Sequence, residues 1–247
     1  MTLTVDGAGV RLAYTEHGTG TPVLLIHGVA SDARALLPVA EALAPRARAI
    51  AYDRRGYGDS GAPEPYDATT VSEQAEDAAA LLEALDVDGA IVAGDGFGAL
   101  VALDLLLRHG DRVSAGVLAN PPLFAFVPEA NEALSEQRAM LDEALREGGP
   151  ARAVEAWLGG RVSGEALVRA QASPRGFFAD LGGLSSLPIT RGALRALSAE
   201  VVVLTHPMAP GRIVSAADAL AGLLPHARRE QGDDLAAAVG QLLDALS

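Results

Sequence analysis

Two rhythms of apolar positions take turns along this chain. Continuous apolar runs, such as Pro22-Val23-Leu24-Leu25-Ile26 and Ala90-Ile91-Val92-Ala93, alternate with stretches in which Leu and Ala recur every three to four residues. A short unbroken apolar run suits a strand buried on both faces, and the three-to-four spacing suits an amphipathic helix. The pattern predicts strands over 2–7, 10–16, 22–28, 46–52, 88–94, 112–119 and 200–205, with a weak edge strand near 226–231. It predicts helices over 32–43, 71–85, 97–109, 215–224 and 233–246, with Asp32 as a candidate cap of the first. Strand alternating with helix at this pace predicts a mostly parallel sheet of about eight strands, covered by helices on both faces.

The rhythm breaks between residues 123 and 187. Four helical patterns follow one another there, near 129–147, 150–158, 164–172 and 174–181, punctuated by Gly148-Gly149, Gly159-Gly160 and Gly182-Gly183. Paired glycines end helices, because they take backbone angles other residues avoid. The expected organisation is therefore a core of residues 1–122 and 188–247 with a helical lid of residues 123–187.

Composition narrows the function classes. With 247 residues, 49% of them hydrophobic, the chain can bury one sizeable core. A formal net charge of −13 argues against nucleic acid and anionic membrane as partners and leaves a small molecule as the expected one. The absence of cysteine excludes disulfides, a thiol nucleophile and a thiolate metal site, and no metal or other cofactor is expected. Residues 1–14 show neither a basic nor an apolar signal region, and no apolar run reaches membrane-spanning length. A cytoplasmic location is the expectation.

Chemistry concentrates in three segments. The first is His27-Gly28, directly after a buried strand. The second is Tyr52-Asp53-Arg54-Arg55-Gly56-Tyr57-Gly58-Asp59-Ser60, read as a loop of fixed turns and ion pairs. The third is Gly94-Asp95-Gly96-Phe97-Gly98, where an apolar strand turns sharply into a helix. Such a turn needs small residues, because its apex has φ > 0 and the helix packs close to its own strand. In this order and at this spacing the segments resemble the α/β-hydrolase superfamily, whose G-x-S-x-G elbow carries the nucleophile. The resemblance spans residues 3–122 and, more loosely, 200–246.

The resemblance implies a nucleophile, a base and an orienting acid. Here the nucleophile position holds Gly96, so the elbow is present without its serine. The strand over 200–205 leads into His206-Pro207-Met208, which offers no carboxylate where the family's acid usually lies. The loop before the last helix, Arg228-Arg229-Glu230-Gln231-Gly232-Asp233-Asp234, offers no histidine base. The triad reads as degenerate. What the resemblance leaves is the oxyanion hole, mapped to the N–H groups of Val29 and Phe97. Candidate catalytic groups are Asp95, His27 and His206, and candidate pocket residues are Asn120, Phe124, Trp157 and Met208. The expected activity is that of a repurposed enzyme acting on a small hydrophobic carbonyl compound without a covalent serine step, as a cyclase, isomerase or lyase. A non-catalytic binding protein and a hydrolase with Asp95 as nucleophile are the alternatives. His27, Asp95 and His206 also have plain readings, as a satisfied imidazole, a helix-capping carboxylate and a loop residue.

Overall fold

The computed structural model describes residues 2–246. Eight strands form one sheet: β1 (Leu3–Asp6), β2 (Arg11–His17), β3 (Thr21–Ile26), β4 (Ala47–Tyr52), β5 (Ala90–Asp95), β6 (Val113–Ala119), β7 (Glu200–Thr205) and β8 (Ala227–Gln231). Their spatial order is β1-β2-β4-β3-β5-β6-β7-β8. β2 runs antiparallel to both its neighbours, and every other pairing is parallel. The central strands explain their own composition. Val23 to Ile26 and Ala90 to Ala93 are completely buried, because helices cover both faces.

The helices are α1 (Leu37–Leu43), α2 (Val71–Ala84), α3 (Phe97–Arg108), α4 (Ala130–Leu158), α5 (Gly164–Ala172), α6 (Pro174–Gly183), α7 (Arg191–Ala196), α8 (Gly211–Ala221) and α9 (Leu235–Leu246). α2, α3 and α8 pack on one face of the sheet, and α1 and α9 on the other. Caps fix several helix starts. The Thr70 hydroxyl accepts from the Glu73 N–H at 3.0 Å, and an Asp234 carboxylate oxygen accepts from the Ala237 N–H at 2.8 Å. Asp32 does not cap: its carboxylate is taken by Arg169 of α5 at 2.6 Å, and residues 33–36 form a short 3-10 turn before α1. No described helix is long and apolar enough to cross a membrane.

Between β6 and β7 the chain departs from the sheet into α4, α5, α6 and α7. α4 breaks at Gly148 and Gly149, the latter at φ 72°, ψ −166°, so its two halves are separate helical segments, as the glycine pair predicts. α4, α5 and α6 share a small core of Leu141, Val154, Leu158 and Phe177, which closes against Ala30 beside the end of β3. The segments that follow β3 and β4 thus meet helices that are not part of the layered core, at the end of the sheet where ligands collect in open parallel folds.

Candidate active site

The turn from β5 into α3 is built by close approach. A Cβ on Gly94 would lie 2.1 Å from the Gly98 carbonyl oxygen, and one on Gly98 would lie 2.2 Å from that of Ile26. Only glycine lets α3 sit this near β3 and β5. At the apex between them, Gly96 has φ 56°, ψ −118°. Its situation is different: a Cβ there would find open space, with the Gly28 Cα, at 3.9 Å, its one neighbour within 4 Å. The apex glycine therefore answers to backbone strain and not to crowding. Phe97 begins α3, so its N–H is among the first of the helix, which lack a partner four residues back.

Asp95 is the last residue of β5 and half-buried. Its carboxylate accepts from the Asn120 side-chain amide at 2.8 Å. Burial raises its pKa, against the Asn120 hydrogen bond, the charge of Arg161, the Gly96 N–H and His206. Asn120 directly follows β6 at φ 47°, a conformation that is uncommon outside glycine and that tends to mark sites. It is held by its own N–H on the Leu204 carbonyl at 2.8 Å, and its side-chain oxygen accepts from the His206 N–H at 2.9 Å. Three strand ends are thereby tied together by one amide side chain. His206 is exposed, and its Nδ1 accepts from the Met208 N–H at 3.0 Å, which puts the ring proton on Nε2.

His27 is spent inside the framework. Its Nδ1–H donates to the Gly28 carbonyl at 2.9 Å and its Nε2 accepts from the Arg54 N–H at 3.0 Å. The ring is buried, and burial together with Arg54 holds its pKa well below the ordinary 6.5, so it is neutral. Of the five histidines, His27 and His206 alone follow the C-terminal ends of parallel strands; His17 ends β2, which runs antiparallel to its neighbours, His109 follows α3 and His226 precedes β8.

Beneath the loop of residues 27–30 lies a buried polar network. Arg54 donates through Nε to the His27 carbonyl and through Nη2 to the Gly28 carbonyl, each at 2.9 Å. Its guanidinium forms a two-pronged pair with Asp180 of α6, at 3.0 and 2.6 Å, and neither side chain is solvent-exposed. Asp180 also accepts from Gln74 at 2.8 Å and from the Tyr57 hydroxyl at 2.7 Å. That hydroxyl in turn accepts from the Ala30 N–H at 3.4 Å. Asp53 fixes the neighbouring turns by accepting from the Ala33 N–H at 2.8 Å and the Asp59 N–H at 2.9 Å. Tyr57 belongs to the second motif without a role of its own there, and Asp180 lies outside all three. The signal for Asp180 is chemical: an acid among Phe177, Phe178 and Leu181 on a helix asks for a buried partner.

Of the residues named from sequence, the structure joins Asp95, Asn120 and His206 through hydrogen bonds beside Gly96. Phe124 packs instead with Val127, Ala130 and Ala216, and Trp157 stands edge-on to Phe177 at 5.9 Å in the core of α4 to α6. Met208 is 83% exposed. Two hollows, of about 60 and 350 Å³, lie away from the elbow, one beside Tyr14, Leu37 and Asp53 and the other between Arg46 and α9.

With this geometry in hand, similarity to other proteins carries weight. Residues 21–159 match the family of the alpha/beta hydrolase fold. RutD of Azorhizobium caulinodans is 37% identical over 114 residues, 46% of this chain and 42% of RutD. Epoxide hydrolase A of Mycobacterium tuberculosis is 32% identical over 204 residues, 74% of this chain and 63% of that protein. The chain spans about half the length of the relatives it matches, between 41% and 63%. Among solved structures, an alpha/beta hydrolase from Sphaerobacter thermophilus superposes with a TM-score of 0.78 at 25% identity, covering 99% of this chain and 100% of that one. The chain belongs to the α/β-hydrolase superfamily.

Proposed function

We propose that this member of the α/β-hydrolase superfamily binds a small hydrophobic carbonyl compound over Gly96 and rearranges it without a covalent serine intermediate, as an isomerase, cyclase or lyase. The observation that carries the reading is the apex of the elbow: a strained glycine with open space where the side chain would stand. In this reading the N–H groups of Val29 and Phe97 hold the developing oxyanion. Donors set in place beforehand are worth most where charge appears, and losing one typically costs about 10²–10³ in rate.

Asp95 supplies the proton transfer. A carboxyl raised by burial and oriented by Asn120 suits a general base that takes a proton beside the carbonyl and returns it elsewhere. Its sideways tie to Asn120, one residue before the apex, favours this role over attack on a substrate. His27 serves structure, and His206 stands at the rim. Residues 123–187 act as a lid over a core of residues 1–122 and 188–247.

A second reading, a non-catalytic binding protein with the same degenerate triad, is favoured by His27, whose buried, neutral ring is hydrogen-bonded at both nitrogens and so offers the elbow no base. Deuterium wash-in at the α-carbon of enolisable aryl ketones and keto acids, followed by proton NMR, separates the two. Catalysed exchange that is lost in both Asp95→Asn and Gly96→Leu supports the enzyme. Amide shifts of Val29 and Phe97 on adding the same compounds, without exchange, support the binding protein. Neither exchange nor shifts across the panel would sink both.

A further inference from the structure

The buried network under the oxyanion loop has a direction. Arg54 and His27 both donate to the carbonyl oxygen of Gly28, each at 2.9 Å. That carbonyl belongs to the same peptide unit as the N–H of Val29. A trans peptide is planar, with its N–H pointing opposite to its C=O. Pinning the Gly28 oxygen into the buried network therefore aims the Val29 N–H the other way. Gly28 itself lies against Asp95, since a Cβ on it would stand 3.1 Å from the Asp95 carbonyl oxygen. The guanidinium of Arg54 also stacks 4.9 Å from the ring centre of Phe97, whose N–H is the second donor. One side chain thus touches the units that carry both donors.

Arg54 is in turn held from the insertion. Asp180 of α6 takes two of its guanidinium nitrogens and, through the Tyr57 hydroxyl, reaches the Ala30 N–H. α6 lies flush with this layer: a Cβ on Gly176 would stand 2.7 Å from the Gly56 carbonyl oxygen, and one on Gly183 would stand 2.9 Å from that of Thr69. Arg169 of α5 holds the far end of the same loop through Asp32 at 2.6 Å. A buried pair of this kind contributes little net stability compared with apolar packing, yet breaking one partner leaves the other charge stranded. Such a device is better suited to fixing a position than to strengthening a core.

We infer that Asp180 is a positioning residue for the proposed oxyanion site: through Arg54 and Tyr57 it orients the Gly28–Val29 peptide and Ala30, so the donor pair is assembled only while α6 is docked on the core. This rests on the oxyanion reading of Val29 and Phe97, but its test needs no ligand. Amide hydrogen exchange is followed in the whole protein for wild type, Asp180→Asn and Tyr57→Phe. Asp180→Asn should speed exchange at least tenfold in the segment 28–33 and in α6, with β5 and β6 unchanged. Tyr57→Phe keeps the ion pair and should speed exchange at Ala30 and its neighbours alone, which gives a reading even if Asp180→Asn does not fold. A uniform rise through loop and strands in Asp180→Asn would show a residue that only stabilises the fold. A loop no faster than wild type in Tyr57→Phe would overturn the link as well. Failure of the oxyanion reading shows separately, as missing Val29 and Phe97 amide shifts in the wild-type ligand panel.

Discussion

The sharpest test of the elbow compares alanine at its three glycines. In Gly98→Ala the new Cβ would stand 2.2 Å from the Ile26 carbonyl oxygen and 2.7 Å from that of His27. Carbon–oxygen contacts settle about 1 Å farther out, so α3 must lift from β3 by roughly that amount. Overpacking of a well-filled core costs about 1–3 kcal/mol and occasionally more. Here both clashing atoms are backbone, one in a central strand and one in the residue after it, which places the cost at or above the top of that range, about 3 kcal/mol. The better helix propensity of alanine returns about 1 kcal/mol at most. Gly94→Ala meets the Gly98 carbonyl oxygen at 2.1 Å and should cost a similar amount. Gly96→Ala meets nothing nearer than 3.9 Å and costs only the strain of φ 56°, ψ −118°, of order 1–3 kcal/mol. The expected order is Gly98→Ala and Gly94→Ala worse than Gly96→Ala, read from urea unfolding with an unchanged slope. If Gly96→Ala proves the most destabilising, or Gly98→Ala is neutral, the division between crowding glycines and a strain glycine is wrong.

Fluorophosphonate probes should leave the protein unlabelled, and Gly96→Ser should gain little esterase activity, because a serine hydroxyl without a base is a poor nucleophile at neutral pH; stoichiometric labelling of the wild type contradicts this. His27 should stay neutral in the folded state as pH falls below 6.5, seen as an imidazole NMR signal that does not titrate there. Because its folded pKa is depressed, its contribution to stability is full above the unfolded value near 6.5 and declines as pH falls below it, by up to about 1.4 kcal/mol per pH unit. Asn120→Ala removes a hydrogen bond that lowers the Asp95 pKa, so the Asp95 carboxyl should titrate higher than in wild type by carbon-13 NMR; a lower value would show that Asn120 does not act on it.

Much of the architecture is written in the sequence, because it depends on local patterns. Unbroken apolar runs specify strands buried on both faces, and the three-to-four spacing specifies their covering helices. The glycine pair at 148–149 specifies the break in α4. The elbow is legible for the same reason: Gly94 and Gly98 answer to contacts within one strand–turn–helix unit. So is the absence of a serine at 96, a matter of one residue in a recognisable frame. Other features were settled only by folding. Asp32 looks like a cap and is instead claimed by Arg169, which lies 137 residues away. Trp157 and Phe124, which a pocket would welcome, are taken by packing. His27 sits in a recognisable motif, yet its ring is neutral and occupied only because Arg54 and the Gly28 carbonyl come from either side of it. Asp180 carries no motif, and its partner Arg54 is 126 residues distant. Hydrogen bonds and desolvation are properties of neighbours in space. A sequence shows which groups will need partners when buried; only the tertiary structure decides which partner each one gets, and therefore which polar groups remain free for chemistry.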